Sequence, residues 1–277
     1  MADGAALDRG AAAEPFAGGG LRGAVPEGRM SRVRRIAAAL TMALGCHGLF
    51  LLAVGSMAFM LATGLQHGFG RLPRPYGLVA DVALLLQFPL VHSWLLTRRG
   101  RQLLVKLSPV GFGRELVPTT YVALASLQLL LAFWLWTPSG VVWRGIGGFG
   151  QGEAVWPWLA FAGAWLFLGK ALFDAGLGLQ SGAIGWWAVL RGQAVRYPDL
   201  PTRGLFARCR QPIYLGFALV LWTAPVWSLD WLLLATVWTV YCIVGPRFKE
   251  ARFGAMFGAR FANYRSAVPY FLPKLHP

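Results

Sequence analysis

RCRQPIYLGFALVLWTAPVWSLDWLLLATVWTVYCIV, residues 208–244, is a basic flank followed by two apolar runs with a polar break between them. The runs cover residues 212–226 and 231–244, and the break is Trp227, Ser228, Leu229 and Asp230. Each run is about 15 residues, short of the roughly 20 that a helix needs to cross a bilayer. They read as a helical hairpin, either crossing or re-entrant. Four longer apolar runs precede it: 36 to about 65, 77–96, 119–136 and 156–179. Pro89 should kink the second. The expected architecture is all-α: a polytopic transmembrane bundle of five to six membrane helices that ends in the hairpin.

Composition agrees. The chain has 277 residues, 56% hydrophobic and only 13% charged, against about a quarter charged in a soluble domain. Thirteen Trp and 35 Gly fit membrane helices and their interfacial belts. The net charge of +15 would point a soluble protein toward nucleic acid. Here the basic residues lie between apolar runs, so they set topology and no nucleic-acid partner is expected. One set of segments holds Arg32, Arg34 and Arg35, then the cluster from Arg98 to Arg114, then Arg191 to Arg210, then Arg247 to Lys274. The alternate segments hold only Arg71, Arg74 and Arg144. This bias predicts both termini on the cytoplasmic side.

Residues 1–29 are Ala/Gly-rich without an apolar run and read as a disordered extension. Met30 has the look of an alternative start. The first apolar run is too long for a cleaved signal peptide and reads as a retained anchor. The remainder divides into membrane helices over 30–180 and a C-terminal region over 181–277. Cys46, Cys209 and Cys242 form no metal or disulfide spacing, and the four His are scattered, so no metal is expected.

Pro212 suits the first position of a helix, where its missing N–H is harmless. The free N–H groups of that turn, with Arg208 and Arg210, make an anion pocket for a carboxylate or phosphate. Tyr214 follows, and Gly216 allows a helix or ligand to come close. A basic flank ahead of a membrane helix explains the same residues equally well. Lys170 and Asp174, four apart on one helix face, read as an ion pair with a snorkelling lysine. His92-Ser93 reads as a hydrogen-bonded packing site.

Downstream come Phe248-Lys249-Glu250, Phe257-Gly258, Tyr264-Arg265 and Val268-Pro269. With Arg210-Gln211-Pro212-Ile213-Tyr214-Leu215-Gly216 ahead of the hairpin, this order resembles the isoprenylcysteine carboxyl methyltransferase superfamily. It is most similar to the methanethiol S-methyltransferase and NnrU-like branch. Weaker likenesses are His92-Ser93 with Arg98, Thr119-Thr120-Tyr121, Phe173-Asp174 and Leu190-Arg191-Gly192, so the resemblance covers roughly residues 30–273. It implies a bacterial inner-membrane methyltransferase with S-adenosylmethionine in a cytoplasmic cofactor pocket. The acceptor is a small hydrophobic thiol or a lipid-like molecule from the membrane, entering between the second, fourth and fifth helices. By that resemblance Arg210 and the helix start at Pro212 hold the methionine carboxylate. Gln211, Tyr214 and Gly216 line the cofactor, and Glu250 takes a ribose hydroxyl or the ammonium. Arg98 and Arg191 are the expected positive charges beside the thiolate. Two positions depart from the family pattern: Gln211 stands for a histidine and Lys249 for the first of two glutamates. The alternative they raise is a membrane protein that kept the fold and lost or changed the methyl-transfer site. The glycine-rich stretch GLGLQSGAIGWW, residues 176–187, is expected to reshape the substrate entrance.

Overall fold

The computed structural model describes residues 32–73, 75–144 and 155–272. The extension over 1–29, Met30, Arg74 and Lys274 lie outside the described residues. Ten helices and two short strands follow in order: α1 Arg32–Ala62, α2 Tyr76–Leu95, α3 Arg98–Leu107, α4 Val117–Trp134, β1 Val142–Arg144, α5 Trp156–Asp174, α6 Leu177–Gln180, α7 Ala183–Arg191, α8 Pro212–Trp222, β2 Trp227–Ser228, α9 Leu229–Phe257 and α10 Ala259–Ala267. A 3₁₀ turn, Gly204–Ala207, precedes α8. The strands pair antiparallel, Val142 opposite Ser228.

Helices α1, α2, α4, α5 and α9 are long and apolar enough to cross a membrane. Their outward side chains are apolar as well. Leu44 is 77% exposed and Leu166 76%, with Leu51, Leu78 and Leu90 also exposed. Apolar surface on this scale is satisfied by lipid, not water, and the fold is an all-α integral membrane bundle. Its core joins Leu61, Leu85, Phe133, Leu168, Leu234 and Trp238 from α1, α2, α4, α5 and α9.

Three boundaries differ from the sequence expectation. The run 156–179 stops as a helix at Asp174, because Gly176 turns left-handed at φ +90°. The glycine-rich stretch then forms α6 and α7, separated at Gly182, φ +76°. The hairpin arms are unequal. α8 has 11 residues, about 16 Å of rise, half the bilayer core. α9 has 29 and runs through Gly245-Pro246 to Phe257. Ser228 caps α9 by accepting from Trp231 N at 2.9 Å. α2 continues unbroken through Pro89.

Buried polar groups pin the bundle. Asp230 accepts from Gln66 Nε2 (2.9 Å), Ser139 N (2.9 Å) and Ser139 Oγ (2.7 Å). Ser228 Oγ donates to Gly64 O at 2.6 Å. The ends of α1 and α4 and the α8–α9 turn therefore share one face, and Arg210, α10 and the 3₁₀ turn lie at the other. Gln87 Nε2 donates to Gln128 O at 2.9 Å, and Gln128 Nε2 to Gln87 Oε1 at 3.1 Å, a reciprocal pair between α2 and α4. Lys170 pairs with Asp174, which also accepts from Leu205 N at 2.9 Å and so holds the 3₁₀ turn.

Candidate active site

The stretch 208–217 forms the helix start expected of it. Gln211 is the N-cap of α8 and Pro212 opens it. Its side chains reach across to α9. Arg210 Nε donates to Glu250 Oε1 at 2.8 Å and Nη2 to Oε2 at 3.3 Å, a forked pair with both side chains about nine-tenths buried. Arg210 Nη1 donates to Arg265 O (2.8 Å) and Val268 O (2.6 Å), and its backbone N–H to Pro269 O (2.9 Å). Four of the five guanidinium N–H groups are thus engaged within the protein. Gln211, 1% exposed, donates from Nε2 to Glu250 Oε1 at 2.7 Å. One carboxylate therefore ties α8 to α9, and through Arg210 to the segment after α10. Tyr264 adds a bond from its hydroxyl to Phe206 O at 2.7 Å, and burial pushes that hydroxyl above the usual range. Cys209 is buried beside them and its thiol is likewise raised by burial.

Gly216 meets a helix: a Cβ there would lie 3.0 Å from the Leu168 Cα of α5. Close packing of α5 on α8 is what the glycine permits.

Behind this frame lies a cavity of about 570 Å³, bounded by α1, α2, α4, α5, α8 and α9. One end is apolar, with Phe50, Met57, Trp165 and Leu168. Its middle carries His92 and Tyr121, and Tyr214 and Tyr241. The Tyr121 hydroxyl is 2.6 Å from His92 Nε2, while Nδ1 is buried and has no partner among the described residues. The His92 ring stacks on Phe88 at 4.9 Å. The far end is formed by Lys249, Arg252, Met256 and Phe257 of α9, with Pro198 and Asp199. The Lys249 ammonium lies among three rings, 5.5 Å from Tyr214, 5.5 Å from Phe253 and 5.8 Å from Phe206. Among the described residues neither Lys249 nor Arg252 has an ion-pair partner. Asp199 is taken by Arg260 at 2.7 Å, a hydrogen bond that holds its carboxyl below the usual range.

The structure brings together Arg210, Gln211, Pro212 and Glu250, and sets Tyr214 in the cavity wall. Arg98 and Arg191 are elsewhere. Arg98 is the exposed first residue of α3. Arg191 ends α7 with its guanidinium 4.6 Å over the Trp187 ring. Neither lines the cavity. Sequence reasoning did not see Arg252, nor that Lys249 faces the same space. The signal was their i, i+3 spacing, which has meaning only if the helix continues past Pro246.

Membrane-length helices around an apolar cavity with a cationic end define an integral membrane protein made to receive a ligand of mixed polarity. Over 203 residues the chain is 30% identical to the methanethiol S-methyltransferase of Crocosphaera subtropica, covering 71% of this chain and 74% of that protein. It is 28% identical over 240 residues to the methanethiol S-methyltransferase of Mycobacterium tuberculosis, covering 81% and 95%. It is 29% identical over 178 residues to a Nurim homolog of Drosophila pseudoobscura pseudoobscura, covering 63% and 69%. No family model and no solved structure matches the chain. The chain belongs to the isoprenylcysteine carboxyl methyltransferase-like membrane proteins, in the methanethiol S-methyltransferase branch, and is an integral membrane methyltransferase.

Proposed function

We propose that the chain transfers a methyl group from S-adenosylmethionine to a small hydrophobic thiol of the methanethiol kind, inside the 570 Å³ cavity. The two-ended character of that cavity carries the reading. Its apolar end, at membrane depth, suits a thiol that partitions into lipid. Its cationic, aromatic end suits a charged donor arriving from water.

The residues present fit the donor. Tyr214 and Tyr241 offer ring faces on the cavity wall, which attract a sulfonium cation. Arg210, Gln211, Pro212, Gly216 and Glu250 serve this site from behind the wall. They fix the start of α8 against α9 and α5, and so set where Tyr214 stands. Gln211 keeps a donor toward Glu250, so its amide does the work of a ring N–H there. When bound, the sulfonium supplies a methyl group open to in-line displacement. The protein's part is to align acceptor with donor and to exclude water.

A thiol reacts as thiolate, so its proton must leave. His92 is a base on the cavity wall, joined to Tyr121 at 2.6 Å; it takes that proton directly or through the phenol. Arg98 and Arg191, off the cavity, act as topology residues. By the distribution of basic residues both ends face the cytoplasm of a bacterial inner membrane, with lipids as the surrounding partner.

The test is transfer of label. Protein reconstituted in lipid is given methyl-labelled S-adenosylmethionine and methanethiol, and headspace dimethyl sulfide is counted. Labelled product is expected. Donor binding without labelled product would reject the thiol acceptor, and absence of donor binding would reject this use of the cavity.

A further inference from the structure

We propose that Lys249 and Arg252 form a two-cation clamp for the α-carboxylate of the methyl donor, a role that rests on the function proposed above. The two side chains are one turn apart on the same face of α9, and both line the cavity. Both are cationic side chains that donate hydrogen bonds and accept none. Among the described residues neither has an ion-pair partner. Glu250, next to Lys249 in sequence, points the other way and is held by Arg210 and Gln211. The acidic residue on the cavity wall, Asp199, is committed to Arg260. What Lys249 has instead are three aromatic faces. Cations removed from bulk water without a counter-charge are costly, and ring faces compensate only in part. Such an arrangement favours an incoming anion.

A carboxylate matches the pair. The planar fork of an arginine donates to both its oxygens, and a lysine adds a point charge. Arg210 is poorly placed for this task, because four of its five N–H groups are already bonded. The clamp also orients the donor. With the carboxylate held at Lys249 and Arg252, the sulfonium is directed along the Tyr214 side toward His92 and the apolar end, where the acceptor thiol lies. Lys249, a departure from the family's pattern, thereby becomes part of the site and not a mark of its loss.

Calorimetry on detergent-purified full chain tests this with two probes, S-adenosylmethionine and its decarboxylated analogue. Wild type is expected to bind S-adenosylmethionine about 10- to 100-fold more tightly, the scale of charge-assisted hydrogen bonds. Lys249→Gln and Arg252→Gln should each reduce that preference several-fold, while Lys249→Arg retains it. Lys106→Gln, on exposed α3, should leave it unchanged. Thermal unfolding of each variant checks that it is folded, and the wild-type comparison alone remains decisive if one is not. Equal affinity of wild type for the two probes overturns the clamp. So does an unchanged ratio in both glutamine variants, or a ratio that holds while only the thiol KM rises, which would give the cations to the thiolate. Absence of binding by either probe overturns the donor reading itself, and the clamp with it.

Discussion

Replacing Glu250 by alanine removes the shared acceptor of Arg210 and Gln211 in one step. Both cross-helix bonds are short, 2.8 and 2.7 Å, and the ion pair is about nine-tenths buried. Breaking a buried pair from one side typically costs about 3–5 kcal/mol, because the partner charge is left behind. Arg210 would keep its bonds to Arg265 O and Val268 O, which argues for the lower end, about 3 kcal/mol. The orphaned Gln211 amide lies within that figure, since the two bonds share one carboxylate and do not add. At about 2–4 °C per kcal/mol for a domain of this size, the melting temperature should fall by about 6–12 °C. Glu250→Gln keeps the shape and one acceptor oxygen, and should lose about half as much. Arg210→Ala should lose about as much as Glu250→Ala, and the double variant little more than either. The assay is thermal unfolding of detergent-purified protein, followed by intrinsic Trp fluorescence. A melting temperature within about 1 °C of wild type for Glu250→Ala would refute the frame. Arg210→Ala that keeps its melting temperature and loses donor affinity would make the arginine a ligand residue after all.

His92→Gln should lower kcat by about 100-fold or more, the usual contribution of a positioned base, with donor affinity by calorimetry within twofold of wild type; unchanged turnover would remove His92 from the proton path. Gly216→Ala should destabilise by about 1–3 kcal/mol, because the new Cβ meets the backbone of Leu168 at 3.0 Å. Adding Leu168→Ala should not rescue it, since backbone stays in the way; full rescue in a thermal melt would contradict the close α5–α8 contact. Topology reporters fused at Gly70 and Pro198 should report opposite sides, outside and inside respectively. The same side for both would break the alternation of charge along the chain.

Much of this protein was legible from local chemistry. Length and apolarity identify a membrane helix without reference to its neighbours, so the runs that became α1, α2, α4 and α5 stand close to where they were read. Pro212 at a helix start is equally local, since it depends on one missing N–H. The ends of elements were less so. Apolar residues continue past Asp174, but Gly176 turns left-handed there. Gly245-Pro246 looks like a stop, yet α9 carries on for eleven residues past Pro246. That continuation decided the site. It aims Lys249 and Arg252 into the cavity and turns Glu250 toward Arg210, 40 residues away in sequence. Rotation of a helix about its axis is set by what packs against it. A basic residue in a linear sequence therefore reveals its charge and its side of the membrane, but not its partner. Arg98, Arg191, Arg210 and Lys249 are alike by that measure. Only the assembled bundle separates an exposed arginine and one stacked on tryptophan from a bonded strut and a cation that faces the cavity.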